Sequence, residues 1–150
     1  MTVAELLLAG SDLGHLLERQ LRRRADLSLA QFNALRVLKG REPEAAQASD
    51  LTRGLRVSSG HATNILQQLE GRGLVERAES ATDRRRRPVR LTAAGDTTLA
   101  AALPALMQLE ERLVGTLGPA EASALWGELR AVRMALREAL AIDDLDCVGP

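Results

Sequence analysis

Polar, uncharged side chains are concentrated between residues 58 and 68 of this 150-residue chain. The apolar residues nearby have the i, i+3, i+4, i+7 spacing of one buried helical stripe: Ala62, Ile65, Leu66 and Leu69. At about 100° per residue the opposite side carries Gly60, Asn64 and Gln67, with His61, Thr63 and Gln68 beside them. Solvated helix faces usually carry Glu and Lys, so this composition favours hydrogen bonding. The edges of bases in a DNA major groove offer matching donors and acceptors.

An arginine run follows at residues 83–87, which read Asp83-Arg84-Arg85-Arg86-Arg87. Four consecutive like charges repel one another unless an anion is close, and DNA supplies dense phosphate and a narrow minor groove that attracts arginine. We expect Asp83 to orient Arg85 by a salt bridge across the turn. The alternative is a solvated loop, which is the usual meaning of a charge run.

The elements that would position these two groups follow from helix caps and breakers. Ser28-Leu29-Ala30-Gln31 is a capping box that starts a helix ending at Gly40. The spacing predicts a first helix over residues 3–24, a third over 46–55, a fourth over 59–72, and two long ones over 93–117 and 119–141. Short strands at 74–77 and 89–91 predict a hairpin with the arginine run at its tip. Trp126 and Phe32 are expected in the core.

The third and fourth predicted helices have the form of a helix-turn-helix, which places its second helix in the major groove. A tight turn at Arg56-Val57 joins them, and Gly54 is expected to relieve it. The candidate DNA-contacting residues are Ser58, Ser59, Gly60, His61, Thr63, Asn64, Gln67 and Gln68 on the helix, and Asp83, Arg84, Arg85, Arg86 and Arg87 in the loop.

Charge is unevenly distributed although the whole chain is formally neutral. Residues 51–92 contain nine arginines against four acidic residues, which leaves this middle segment at about +5. A basic middle between acidic ends indicates a local anion-binding surface.

Other sequence features argue against different classes of protein. A single cysteine, Cys147, excludes an internal disulfide and agrees with a reducing cytoplasm. The first residues do not read as a secretory signal, and uncharged stretches are too short to span a bilayer. We find no nucleophile–base pair, phosphate loop or metal-ligand cluster, and therefore expect no enzyme, cofactor or metal site.

Residues 58–95 resemble the MarR family of bacterial winged-helix regulators. The matching segments are Leu69-Glu70-x-x-Gly73-Leu74-Val75-x-Arg77, Asp83-x-Arg85, and Val89-x-Leu91-Thr92-x-x-Gly95. The resemblance implies a mainly α fold, a winged helix-turn-helix with N- and C-terminal dimerisation helices in the order α-α-α-α-β-β-α-α. Residues 27–95 would form the DNA-binding domain, and residues 1–26 and 96–150 the helical dimerisation region.

The same resemblance implies a cytoplasmic homodimeric transcription regulator, a repressor of a pseudo-palindromic double-stranded DNA operator released by a small anionic effector. Arg85 matches the family's minor-groove arginine. Asn64 stands where the family often has arginine, and because asparagine can pair with adenine, we expect an operator with A·T preference there. Two alternatives remain: a winged-helix module for protein contact, and a ligand-binding dimer with little DNA affinity.

Overall fold

The computed structural model describes residues 3–77 and 88–146, with side chains described as far as residue 139. Its elements are α1 (Val3–Ala25), α2 (Leu29–Lys39), α3 (Ala48–Leu55), α4 (Ser59–Gly71), β1 (Val75–Arg77), β2 (Val89–Leu91), α5 (Ala93–Leu117) and α6 (Pro119–Asp146). The predicted fold class, mainly helical with one hairpin in the order α-α-α-α-β-β-α-α, is confirmed for these residues. None of the described helices is both long enough and apolar enough to cross a membrane.

The chain divides into two compact units, residues 1–107 and residues 108–150. In the first, α2, α3 and α4 pack on one another around Phe32, which is fully buried as expected. In the second, Leu109 and Ala122 are buried. Trp126 is 37% exposed, so its expected place in the core is wrong. The rest of α6 from Trp126 as far as residue 139 is exposed in the same way, apart from half-buried Leu129, so Trp126 lies on a helix segment that contributes little to the core.

Helix α2 begins with the capping box predicted from the sequence. Ser28 Oγ accepts from the Gln31 backbone N–H at 3.1 Å, and Gln31 Oε1 accepts from the Ser28 backbone N–H at 3.0 Å. At the other end, Lys39 Nζ lies 2.7 Å from Asp96 Oδ1 and 2.5 Å from Glu42 Oε2. The hydrogen bond to Asp96, then that to Glu42, raises the pKa of Lys39 above its ordinary value. This ion pair links the end of α2 to the first turn of α5.

Helix α3 starts at Ala48, two residues later than the sequence predicts. Ala46 instead forms a β-bridge with Val89: its N–H donates to the Val89 carbonyl at 2.8 Å and its carbonyl accepts from Val89 at 2.6 Å. Gln47 then caps the helix, since its backbone N–H donates to Asp50 Oδ2 at 2.8 Å. A pairing 43 residues away along the chain therefore decides where this helix begins.

Most of the remaining boundaries lie close to the sequence-based ones, and the end of α6 is the exception. Strand β1 begins at Val75 and α4 ends at Gly71, each one residue from the predicted limit. Helix α6 continues to Asp146, past the predicted end at residue 141, since no proline or glycine interrupts residues 128–146. The two strands are antiparallel, and Val75 pairs with Leu91.

Candidate nucleic-acid interface

Helix α4 separates a buried face from an exposed one as its sequence pattern predicts. The apolar stripe is buried: Ala62, Ile65, Leu66 and Leu69 are each at most 4% exposed. All eight candidate contact residues of this segment are exposed: Ser58, Ser59, Gly60, His61, Thr63, Asn64, Gln67 and Gln68. The hydrophobic core of residues 1–107 thus orients α4 so that an uncharged polar surface faces outward.

Two hydroxyl groups on this surface, those of Ser58 and Thr63, form hydrogen bonds with the backbone of the helix itself. Ser58 Oγ accepts from the His61 backbone N–H at 3.2 Å and is the N-cap that the sequence predicts. Thr63 Oγ1 donates to the Ser59 carbonyl at 2.8 Å. By contrast, the side chains of Ser59, His61 and Gln67 make no hydrogen bond within the described part of the chain. They are the side chains available to an external partner.

Gln68 is held by α2, an attachment that sequence reasoning missed. Gln31 is the one buried polar side chain among the described residues, and its Nε2 donates to Gln68 Oε1 at 2.9 Å. Gln68 Nε2 in turn donates to Asn64 Oδ1 at 3.3 Å. The sequence showed Gln31 only as a capping-box residue, because a contact across 37 residues leaves no local signal. Gln68 is consequently both exposed and fixed in orientation.

The turn between α3 and α4 is made differently from the sequence-based expectation. Gly54 does not relieve it: Gly54 is helical and packs against α2, where an added Cβ would lie 2.9 Å from Val37 Cγ2. The left-handed residue is Arg56, with φ 54° and ψ 51°, and it caps α3 by donating its N–H to the Thr52 carbonyl. A non-glycine residue in this region costs about 1–2 kcal/mol. The fold therefore carries a strained arginine just before α4.

Arg53 and Arg56 are exposed cations that the sequence-based list of site residues omitted. Neither forms an ion pair with any described residue, whereas Arg41, in the turn before α3, is paired with Asp50 of α3. The signal that could have identified them is position in the sequence, since Arg53 is in the last turn of α3 and Arg56 is in the turn that leads into α4. Together with the N–H groups at that terminus, they give this end of α4 a positive potential.

The hairpin is attached to the C-terminal end of α4 through two glycines and a threonine. Gly73 adopts φ 68°, which favours glycine, and directs the chain from α4 into β1. Thr92 Oγ1 donates to the Gly73 carbonyl at 2.7 Å and accepts from the Gly95 N–H at 3.0 Å. A Cβ on Gly95 would lie 2.0 Å from the Leu74 carbonyl oxygen. This packing is the physical reason for the Gly73-Leu74 and Leu91-Thr92-x-x-Gly95 pattern.

The base of the hairpin carries two exposed ion pairs. Arg90 Nε lies 2.8 Å from Glu76 Oε1 across the strands, and Arg77 Nε lies 3.4 Å from Glu70 Oε2 of α4. The predicted loop residues Asp83, Arg84, Arg85, Arg86 and Arg87 lie outside the described residues. Their role in binding stays a prediction.

Other kinds of site have less support in the described chain. Within residues 3–77 and 88–139, no three His, Asp or Glu side chains are grouped as metal ligands would be. An open cavity of about 390 Å³ lies between α2 and α3, lined by Asn33, Arg36, Val37, Gly54 and Leu55. Arg36 lies 5.7 Å from the centre of the Phe32 ring. The cavity volume is in the range of small-molecule sites.

Residues 25–86 match the sequence model of the MarR family. The transcriptional regulator HosA of Escherichia coli O127:H6 is 46% identical over 57 residues, 38% of this chain and 42% of HosA. The transcriptional repressor MprA of Escherichia coli K12 is 41% identical over 73 residues, 49% of this chain and 42% of MprA. The match thus spans less than half the length of these curated relatives, both of which are transcription regulators.

The likeness in structure extends over most of the chain. The transcriptional repressor CouR, solved with a 23-mer DNA duplex, superposes with a TM-score of 0.80 at 27% identity, covering 89% of this chain and 92% of CouR. CouR bound to p-coumaroyl-CoA superposes with a TM-score of 0.76 at 25% identity, covering 89% of this chain and 91% of CouR. The packing of Gly73, Thr92 and Gly95 accounts for the family motif, and over residues 25–86 the chain is similar to the MarR family.

Proposed function

We propose that this protein is a sequence-specific double-stranded DNA-binding transcription repressor. The observation that carries the proposal is the outward surface of α4, where every candidate contact residue is exposed and uncharged while the apolar stripe is buried. The similarity to CouR and MprA, which are transcriptional repressors, and the structure of CouR with a DNA duplex support it.

In the proposed complex α4 enters the major groove, which admits a helix. The helix has 13 residues and is therefore about 20 Å long. His61, Asn64 and Gln67 would contact base edges, and Gln68 would do so in its fixed orientation. Ser58, Ser59, Gly60 and Thr63 would bring the helix N-terminus against the phosphate backbone.

Arginines on two sides of α4 would neutralise phosphates. Arg53 and Arg56 lie before its N-terminus, free of ion pairs with described residues. The loop arginines Arg84, Arg86 and Arg87 would contact flanking phosphates, and Arg85, oriented by Asp83, would enter the minor groove. Each phosphate contact releases counterions, so binding should weaken steeply with added salt.

A homodimer would present two such helices to a pseudo-palindromic operator. Residues 1–26 and 96–150 would supply the dimer contacts, and residues 27–95 the DNA contacts. Large apolar side chains are exposed on α1 and on α6, as free dimerisation surfaces would require: Val3, Leu7, Leu8, Trp126, Val132, Met134 and Leu136. The two half-sites would then lie about 10 base pairs apart from centre to centre.

A small anionic effector would release the DNA in the cytoplasm. Support comes from CouR, which has been solved in complex with p-coumaroyl-CoA. The cavity beside Arg36 and Asn33 offers one polar, ligand-sized concavity in the described chain. Loss of operator affinity on titration with aromatic carboxylates would support this part of the proposal, and unchanged affinity across that class would contradict it.

The testing experiment selects bound duplexes from a random pool and then titrates salt on the enriched sequence. We expect one enriched motif with two related halves, and a steep fall in affinity with salt. Arg85→Ala should cost about 1–3 kcal/mol of binding, and Arg56→Ala should reduce the salt slope by about 1. Arg112→Ala, at an exposed position of α5, removes the same charge and is the matched control, provided that gel filtration shows the oligomeric state of wild-type protein. If no duplex sequence is enriched and any residual DNA binding is insensitive to salt, the winged-helix module for protein contact is favoured instead.

A further inference from the structure

A chain of carboxamide hydrogen bonds runs from the buried side of α2 to the exposed surface of α4. It consists of Gln31, Gln68 and Asn64, joined at 2.9 Å and 3.3 Å. We name these three side chains the amide relay. Because an amide has a donor end and an acceptor end, the orientation of the first member determines that of the others.

The orientation of Gln31 is decided by groups that can only donate. Its Oε1 accepts from the Ser28 backbone N–H at 3.0 Å, and Arg72 Nη1 lies 3.5 Å from the same oxygen. Neither a backbone N–H nor a guanidinium can accept a hydrogen bond, so the atom facing them must be oxygen. Arg72 is itself held in place, since its Nη1 donates to the Asp26 carbonyl at 2.7 Å. The NH₂ of Gln31 must therefore face α4.

The orientation then passes outward along the relay. Gln68 must offer its oxygen to the Gln31 NH₂, which leaves the Gln68 NH₂ for Asn64. Asn64 offers its oxygen in turn, and its NH₂ group remains on the exposed surface. The orientation of each amide is thus determined by the preceding one, and the first is determined by the capping box of α2.

We propose that Gln31 is a positioning residue that makes Asn64 a hydrogen-bond donor to DNA, so that Asn64 favours guanine over adenine. Guanine presents two adjacent acceptors in the major groove, N7 and O6, whereas adenine presents one acceptor and one donor. This inference rests on the proposed function. It replaces the A·T preference expected from Asn64 considered alone, because pairing with adenine needs the asparagine oxygen, and one of the two lone pairs of that oxygen already accepts from Gln68.

The substitution Gln31→Glu tests the relay without changing any residue on the DNA-facing surface. Glutamate preserves the capping box, since its carboxylate accepts from Ser28 and lies beside Arg72. Its second oxygen can only accept, so Gln68 must turn its NH₂ toward position 31 and its oxygen toward Asn64. Asn64 then turns as well and exposes its oxygen, which suits the amino group of adenine or cytosine.

The measurement is the affinity of duplexes that differ at one base pair. The base pair to vary is the one at which the Asn64→Ala variant no longer shows the base preference of wild-type protein. There we expect wild-type protein to favour guanine over adenine about fivefold or more, and Gln31→Glu to reverse the order. Gln31→Met, which breaks the relay without a charge, should bring the ratio close to one. Gln31→Glu combined with Asn64→Ala should show no preference.

The possible outcomes distinguish failure of the amide relay from failure of the proposed DNA-binding function. If wild-type protein selects an operator but Gln31→Glu keeps the guanine preference, the relay is wrong and DNA binding stands. If no duplex is selected, side-chain amide NMR of the free protein decides the relay alone. Exchange of the Gln68 NH₂ protons with solvent should slow in Gln31→Glu, because they then donate to a buried carboxylate. Unchanged exchange in that folded variant would overturn the inference.

Discussion

The two ends of α4 are built on opposite principles. At the C-terminal end, Gly73, Thr92 and Gly95 join the helix to the hairpin through a close approach and two hydrogen bonds. At the N-terminal end, Arg56 is held in a left-handed conformation, and a Cβ on Gly60 would meet nothing within 4 Å. The fold therefore secures the helix from one end and leaves the other open. Strain and open space at the N-terminus are consistent with a surface that is completed by a partner.

The largest effect should come from Gly95→Ala at the secured end. The new Cβ would lie 2.0 Å from a backbone carbonyl oxygen, which cannot move without separating α5 from the turn before β1. We expect a loss of more than about 2 kcal/mol in the free energy of unfolding, measured by urea denaturation. Gly115→Ala, where a Cβ meets nothing within 4 Å, is the matched control. Equal stability of the two variants would show that the close approach does not hold the hairpin.

Gly73→Ala should have a smaller effect at the same end. A Cβ there meets nothing within 4 Å, so the cost is conformational alone and comes from φ 68°. We expect a loss of about 1–2 kcal/mol in thermal or urea unfolding. Gly73→Asn should recover part of it, because asparagine tolerates the left-handed region better than alanine. A tolerated Gly73→Ala would contradict the assigned conformation.

Arg56→Gly at the open end should act on stability and binding in opposite directions. Glycine removes the left-handed strain but adds freedom to the unfolded chain, so we expect a net stabilisation of up to about 1 kcal/mol. The same change removes a cation, so affinity for a selected duplex should fall and its salt slope should decrease by about 1. Arg53→Gly, within α3, is the contrasting variant and should destabilise the fold. A loss of stability in Arg56→Gly would contradict the inference that the left-handed conformation of Arg56 is strained.

The smallest effect on the fold should come from Gly60→Ala. Alanine is the better helix former and meets no neighbour, so we expect a gain of about 0.5–1 kcal/mol in unfolding. If α4 approaches the DNA backbone closely at its first turn, the added methyl group should nevertheless weaken duplex binding. Gly71→Ala, at the other end of the same helix and equally open, should leave binding unchanged. Equal duplex affinity in both variants would argue against a close approach at Gly60.

Local signals predicted most of the architecture because they act within one turn of helix. The Ser28 and Ser58 caps, the apolar stripe of α4 and the hairpin flanks are each readable over a few residues, and the structure confirms them. The start of α3 was misplaced because its competitor, the bridge from Ala46 to Val89, is distant in sequence. The expected role of Gly54 in the turn was wrong for a similar reason: Gly54 lies within α3 and packs against Val37 of α2, which is distant in sequence.

By itself the sequence determined the order of elements and which face of α4 is polar, since periodicity and capping need no long-range information. Tertiary structure alone decided that Gln31 is buried against α4, that Arg56 turns the chain, and that Trp126 is exposed. These outcomes depend on which surfaces meet. An amide has the same composition in either orientation, and only the donors that surround it choose between the two.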